Sequence, residues 1–214
     1  MREFSVSVVI PVLNDREGLS RCLEALKNQV PRRAFETIVV DDGSRTDLER
    51  VRINFKDSLD LKWIRLEHNQ GPAAARNAGV LAASGDLVFF TDADCVPEKD
   101  WIEELARPFV DPDVVGAKGV YCTSQKDIWA RLAQIEFEER YECLSGSEDI
   151  DFIDTYCGAY RRTKFLEVGG FDENFTKANN EDVDLSFRIK KRGGKFVFVP
   201  KARVWHKHRE GVMN

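Results

Sequence analysis

Four short runs of branched and aromatic apolar residues, each followed by a segment with helical spacing, constrain this chain more than any other feature. Val6 to Val12 is the first, ended by Pro11 and Asn14, after which Leu19, Cys22, Leu23 and Leu26 recur at the three-and-four spacing of an amphipathic helix. Thr37-Ile38-Val39-Val40 is the second, followed by Asp41-Asp42-Gly43-Ser44 and a polar helical pattern from Asp47 to Phe55. Leu61 to Leu66 is the third, with an alanine-rich helix from Gly71 to Ala83. Leu87 to Phe90 is the fourth, and Pro97, suited to a first helical position, leads into Ile102, Leu105 and Phe109. Strands that are apolar throughout must be covered on both faces, and strands joined through helices run parallel with right-handed crossovers. The expected fold is therefore α/β, a mostly parallel central sheet with helices on both faces. Ligands of such sheets collect at the carboxyl ends of the strands. The loops carrying Pro11 to Asn14, Asp41 to Ser44 and Asp92 to Asp94 all lie at that edge.

The second half changes character. Val114 to Cys122 reads as a strand, Ile128 to Leu144 as a long amphipathic helix, Ile153 to Tyr160 as a strand and Val183 to Lys191 as a helix. Lys195 to Val199 and Val204 to His206 read as closing strands. There is no repeat, low-complexity tract or flexible linker, so residues 1–214 form one domain. Residues 1–110 make a nucleotide-binding half, and residues 111–214 shape a second pocket. With 214 residues, 43% of them hydrophobic and 32% charged, one substantial core can form without disulfides. On the long helix Trp129, Leu132, Ile135 and Phe137 read as core, with contact to a lipid-linked acceptor or a partner as the alternative.

Charge and cysteine usage exclude several classes. A formal net charge of -5 argues against a nucleic acid polymer as ligand, because such binders carry a basic face. Cys22, Cys95, Cys122, Cys143 and Cys157 are odd in number and lack Cys-x-x-Cys spacing, which indicates neither a disulfide framework nor a zinc site. A reducing cytoplasm is the expected compartment. Met1-Arg2-Glu3 runs into the first strand pattern without a signal peptide, and no stretch approaches the roughly 18–20 apolar residues of a membrane span. Membrane association, at the inner face, would be peripheral or carried by residues outside this sequence. Oligomeric state is not legible.

Phe89-Phe90-Thr91-Asp92-Ala93-Asp94-Cys95 sets two carboxylates two residues apart at a strand end, where both can face one ligand. Two hard oxygen ligands suit Mn²⁺ or Mg²⁺, although a turn that merely stops the strand uses the same residues. In Asp41-Asp42-Gly43-Ser44 a carboxylate could accept hydrogen bonds from a base imide or ribose hydroxyls, or the four residues could be a tight turn around Gly43. Asn69 to Gly79 combines a turn, a proline and small residues, and Arg76 offers charge to a diphosphate or to the acidic cluster. Asn179-Asn180-Glu181-Asp182 makes Asn180 the expected helix N-cap with two acids in the first turn, and Asp184 can pair with Arg188 one turn on. Helix capping alone would account for these acids. Neither Gly-x-Gly-x-x-Gly after the first strand nor Gly-x-x-x-x-Gly-Lys-Ser/Thr occurs, which removes most support for dinucleotide and P-loop readings.

In order and approximate spacing, these motifs together resemble the family 2 inverting glycosyltransferases of the GT-A fold, a Rossmann-like three-layer sandwich with a smaller antiparallel element near the C-terminus. The resemblance rests on Val9 to Asn14, Asp41 to Ser44, Asn69 to Gly79, Ser84-Gly85-Asp86, Asp92-Ala93-Asp94, Gly169 to Glu173 and Glu181-Asp182. It implies that Asp42 contacts the nucleobase, that the loop from Pro11 to Asn14 lines its pocket, and that Asn69 and Arg76 belong to the donor-binding set. It implies further that Asp92 faces the ribose and sugar, that Asp94 ligates Mn²⁺ or Mg²⁺ with Asp92 beside it, and that Asp182 is the catalytic base with Glu181 as its companion. In part of the family a histidine of the closing segment completes the metal shell, and His206 in Val204-Trp205-His206-Lys207-His208 resembles it; a histidine without a ligand role near a chain end is the alternative. Family members often continue into membrane helices beyond such a domain.

The expected reaction follows from the chemistry of the leaving group. A nucleoside diphosphate gathers negative charge as its bond to the sugar breaks, and a divalent cation stabilises that charge without a proton donor. The acceptor hydroxyl is a poor nucleophile at neutral pH, so one carboxylate must take its proton during attack from the opposite face, with inversion. The resemblance thus implies transfer from a nucleotide sugar, with UDP-sugars foremost, to a glycan, a lipid-linked acceptor or another hydroxyl of a cell-envelope polysaccharide precursor. A sugar-nucleotide nucleotidyltransferase and a catalytically silent nucleotide-sugar binding module are the competing readings, although the basic glycine-rich loop of the former is absent.

Overall fold

The computed structural model describes residues 4–30, 34–175, 177 and 180–208; Met1, Arg2, Glu3 and Asn179, named above, lie outside them. Strands β1 (Val6–Val12), β2 (Phe35–Asp41), β3 (Leu61–Arg65) and β4 (Leu87–Phe90) alternate with helices α1 (Arg16–Lys27), α2 (Glu49–Phe55) and α3 (Pro72–Ala82). The short β5 (Val96–Pro97), α4 (Trp101–Ala106), β6 (Val114–Cys122), α5 (Ile128–Leu144), β7 (Gly158–Arg161), α6 (Arg162–Glu167), α7 (Glu181–Lys190) and β8 (Lys195–Trp205) follow. They build one eight-stranded sheet in the order β3-β2-β1-β4-β7-β6-β8-β5. β1 pairs in parallel with β2 and β4, β2 with β3, and β6 with β8, whereas β7 is antiparallel to both its neighbours and β5 is antiparallel to β8. The mostly parallel α/β sandwich expected from the strand-helix alternation is the fold observed.

The pleat sorts alternate residues of each strand into two cores. Val8, Ile10, Val39 and Phe89 pack on one face with Leu19, Leu23 and Trp101, while Val9, Ile38, Val40 and Phe90 pack on the other with Ala75, Val80, Phe165 and Leu185. Phe89 and Phe90 are both completely buried, which is worth about 1.5–3 kcal/mol for each side chain. Phe90 meets Phe165 and Phe171 at ring separations of 5.7 and 5.5 Å and so ties α6 and the segment after it to the sheet. α3 lies close against β1 and β2 because Gly79 faces them: a Cβ there would collide with the side chain of Val9. α1 starts at Asp15, whose carboxylate accepts the Gly18 N–H at 2.8 Å, a cap worth about 1 kcal/mol.

Four elements differ from the sequence reading. Pro97 does not open a helix; it lies in the edge strand β5, paired with Val204, where a residue without an N–H costs no ladder bond, and α4 begins at Trp101. Ile153 to Tyr160 is not one strand, because Thr155–Cys157 forms a 3-10 turn and the ladder starts only at Gly158. The two expected closing strands are the two ends of β8, whose register against β6 jumps from Phe198 opposite Lys118 to Arg203 opposite Val120, leaving Pro200 in the bulge. On α5 the buried residues are Ala130, Gln134 and Tyr141, whereas Trp129, Leu132 and Ile135 are 46, 53 and 41% exposed. The core reading therefore fails for those three, and of that set Phe137 alone packs against the core.

Candidate active site

The strand order reverses between β1 and β4: β2 and β3 continue on one side of β1, and the later strands lie beyond β4. At this switch point a crevice opens beyond the carboxyl ends of the strands. It has a volume of about 440 Å³ and is lined by Pro11, Val12, Leu13, Asp42, Asn69, Gly71, Pro72, Arg76, Asp92, Asp94 and Lys177. A depression of similar size, about 460 Å³, lies at Lys164, Arg192 and Gly193 and holds none of the residues singled out from the sequence. Size alone would not locate the site.

Each donor-side carboxylate is held by a different device. Asp42, at the end of β2, accepts the backbone N–H groups of Gln70 and Gly71 at 2.7 and 2.9 Å, which folds the Asn69 turn over it. Burial pushes the Asp42 carboxyl up, against those two bonds. Gly71, at a φ of 94°, makes the turn that places Pro72 at the start of α3. Asn14 does not line the crevice: at a φ of 60° its side-chain oxygen accepts the N–H groups of Arg45 and Thr46, and its own N–H donates to Ser44 Oγ at 2.8 Å. It therefore pins the loop after β1 to the loop after β2. Asp41, one residue before Asp42, is completely buried and paired with Arg65 at 2.7 Å.

Arg76 joins the two acidic clusters that the sequence left separate. Only 4% exposed, its guanidinium donates to Asp92 Oδ1 at 2.9 Å and to Glu181 Oε1 at 2.8 Å. Its Nε is buried and has no hydrogen-bond partner among the described residues. Arg76 thus serves the acidic cluster, and it also lines the crevice, where a diphosphate would meet it. Glu181 is only 3% exposed and forms an ion pair with Arg76 at 2.8 Å.

His206 comes to Asp94, with Nε2 3.1 Å from Oδ2, and its ring stacks on Tyr121 at 4.6 Å and 22°. Burial works against the Asp94 carboxylate, but the hydrogen bond and charge of His206 outweigh it and hold its pKa below the ordinary value. Among the described residues, oxygen and sulfur atoms of Asp92, Asp94 and Cys95 lie within 4.8 Å of one another, a grouping that can hold a cation. Cys95 is a poor member, because burial pushes its thiol well above the ordinary range. Two carboxylates and an imidazole make a donor set of hard and borderline character that fits Mn²⁺, and Mg²⁺ less well.

Asp182, in the first turn of α7, has the opposite environment. Burial, then the charges of Asp154 and Glu181, push its carboxyl up to about 6, against a backbone hydrogen bond from Val183 and the charge of Arg76. Asn180 stands at the N-cap but in the left-handed region, φ 63°, and its side chain makes no cap bond. The acids that follow it lie in the first turn as expected, and Asp182 Oδ1 accepts the Val183 N–H there at 2.9 Å. Asp184 and Arg188 do pair along the helix at 2.7 Å. Lys118, Asp154 and Lys177 were not singled out from the sequence. A lysine inside the apolar Val114 to Val120 run was the one available signal for Lys118.

The profile of glycosyl transferase family 2 matches residues 7–169. The chain is 34% identical over 211 residues to the pre-mycofactocin glycosyltransferase of Mycobacterium tuberculosis, covering 95% of this chain and 43% of that protein. It is 30% identical over 220 residues to the glucosyl-dolichyl phosphate glucuronosyltransferase of Haloferax volcanii, covering 94% of this chain and 69% of the relative. In fold it is similar to the mannosyltransferase PcManGT of Pyrobaculum calidifontis, solved with GDP-Man and Mn²⁺, with a TM-score of 0.82 at 20% identity over 98% of this chain and 58% of that one. Staphylococcus aureus TarS in complex with UDP-GlcNAc gives a TM-score of 0.73 at 20% identity over 97% of this chain and 60% of that one. No helix among the described residues is long and apolar enough to cross a membrane. With its strand-end motifs in the family's order and its sequence profile matched, the chain belongs to glycosyl transferase family 2.

Proposed function

We propose that this domain transfers a sugar from a nucleoside diphosphate sugar to a hydroxyl acceptor by a single inverting displacement. What supports the reading is that Arg76 links Asp92 to Glu181, and that the two sides of this link differ: Asp94, beside His206, is favoured in its charged form, whereas Asp182, next to Glu181, is pushed up to about 6. The first kind suits a cation ligand and the second a base working near neutral pH. Asp94, Asp92 and His206 would hold Mn²⁺ or Mg²⁺, which when bound neutralises the charge developing on the diphosphate. Asp42 and Asn69, with Pro11 to Leu13, are placed to receive the nucleoside, and a uracil imide N–H matches a carboxylate acceptor at Asp42. Arg76 keeps Asp92 and Glu181 in register, so that the donor side and α7 move as one unit. Asp182 takes the acceptor proton as the hydroxyl attacks from the face opposite the leaving group, which inverts the anomeric carbon.

The related proteins support the donor class and leave the sugar and acceptor open. One fold neighbour holds GDP-Man with Mn²⁺ and another holds UDP-GlcNAc, while a sequence relative is named for a dolichyl phosphate substrate. The acceptor is a glycan, lipid-linked or other hydroxyl, in keeping with cell-envelope polysaccharide chemistry and with peripheral contact to the inner face of a membrane. A calorimetric screen of UDP, GDP and their sugars with Mn²⁺ and with Mg²⁺ tests the reading. Cation-dependent diphosphate binding is expected, with UDP foremost. A preference for nucleoside triphosphates would instead favour a nucleotidyltransferase, and tight donor binding without turnover or donor hydrolysis would favour a silent binding module.

A further inference from the structure

Lys118 is completely buried in β6, where its ammonium meets the Asp154 carboxylate and the face of Phe152, 4.3 Å from the ring centroid. Neither Lys118 nor Asp154 lines the crevice, and the donor chemistry makes no use of them. Taking such a pair out of water costs several kcal/mol per ion, so its presence calls for a reason. Asp154 Oδ2 also accepts the Tyr156 hydroxyl at 3.1 Å, and that hydroxyl is 2.8 Å from the hydroxyl of Tyr141 on α5. Arg140, also on α5, faces the other Asp154 oxygen at 3.8 Å.

The residue before Asp154 docks this segment onto α7. The Ile153 N–H donates to Ser186 Oγ at 3.1 Å, and the Tyr160 hydroxyl lies 3.2 Å from the same oxygen. Ser186 is one helical turn beyond Asp182 and on the same face of α7. The segment bearing Asp154 is thus fastened to the helix face that carries the proposed base.

We propose that the Lys118–Asp154 pair is a positioning device for Asp182: buried Lys118 fixes the Asp154 carboxylate in the segment that is bonded to the face of α7 carrying the base. The proposal rests on the reading of Asp182 as base. Among the described residues, the titratable groups acting on or influenced by Asp182 include Asp154 from the segment before β7, Tyr160 on β7, Glu181 on α7 itself and Arg76 from α3. Both carboxylates favour the protonated form of Asp182, and Arg76 opposes them. Of the two carboxylates, Asp154 exerts the stronger influence on Asp182. Lys118 is the partner that makes a carboxylate tolerable at this depth.

Titration of the Asp182 carboxyl by ¹³C NMR in the full chain, assigned by its loss in Asp182→Asn, tests the proposal. The wild type should titrate near 6. Asp154→Asn should lower the midpoint by about one pH unit. The double replacement Asp154→Asn with Lys118→Met removes the pair without stranding a buried ammonium, and should lower it similarly even if the single variant does not fold. Affinity for UDP or GDP with Mn²⁺ should be unchanged in both, since neither residue touches the crevice. A midpoint that stays in place or rises in the folded double variant overturns the proposal; a purely structural pair would lower the melting temperature and leave the midpoint alone. Turnover that survives in Asp182→Asn overturns the base assignment on its own, because the titration reads the coupling between the two carboxylates independently of catalysis.

Discussion

At the strand ends each carboxylate facing the crevice has its own partner: Asp42 two backbone N–H groups, Asp92 the guanidinium of Arg76, and Asp94 the ring of His206, which holds the Asp94 carboxyl below its ordinary pKa. On α7, Asp182 lies among other carboxylates and is pushed up to about 6. In the proposed reaction Asp94 keeps its charge at the strand ends, while Asp182 on α7 takes up a proton. Holding a cation and a nucleotide requires charge that does not lapse, whereas deprotonating a hydroxyl requires a group with appreciable proton affinity. Arg76 spans the two sides, so the contrast depends on a single buried cation.

The sharpest way to break the contrast is to remove that cation. Arg76→Met leaves Asp92 and Glu181 without their buried partner and should destabilise the fold by about 3–5 kcal/mol in urea unfolding; a cost below about 1 kcal/mol would mean that the bridge is incidental. Asp94→Asn keeps the shape but removes the charged ligand, and should lower turnover on the order of 100- to 1000-fold while erasing the Mn²⁺ dependence of nucleotide binding. Chelation of the wild type should have the same effect on binding. Retained cation dependence in that variant would move the metal site elsewhere.

Asp182 should reveal itself through stability as well. Its folded pKa, about 6, lies above the ordinary value of 3.8 for an aspartate, so its charged form costs stability above pH 6 and the cost fades as pH falls toward 4. Asp182→Asn should therefore be more stable at pH 7.5, by on the order of 2–3 kcal/mol, with the gain shrinking at pH 4.5. A loss of stability at pH 7.5 would show that the carboxylate is satisfied by partners. The smallest effect belongs to α5: Leu132→Ser should change stability by less than about 0.5 kcal/mol, because the residue is exposed. A cost of about 2–5 kcal/mol would restore the reading of that face as core.

The strand-end cluster was legible because it is built by local rules. Asp42, Asp92 and Asp94 each follow an apolar strand within one strand-helix unit, so a linear reading places them at one edge. The α7 side depends on contacts between distant segments. Asp154 owes its position to Lys118 and the Ile153 bond to Ser186, and no periodicity encodes the 3-10 turn at Thr155–Cys157 that delays the ladder to Gly158. The role of Asn14 was hidden for a related reason: its sequence position marks a loop at the correct edge, while its left-handed backbone turns the side chain toward Arg45 and Thr46. On α5 the apolar spacing correctly indicated a helix. Spacing says nothing about whether another element covers the face, and Trp129, Leu132 and Ile135 remain exposed.

The division of labour between the two sides is tested most directly in Asp182→Asn, by measuring nucleotide binding with Mn²⁺ and sugar transfer or donor hydrolysis on the same sample. Nucleotide affinity within a factor of two or three of wild type, with turnover reduced on the order of 100- to 10,000-fold, is the predicted result. Turnover that persists, or nucleotide affinity lost together with it, would contradict the assignment of charge-holding to the strand ends and proton removal to α7.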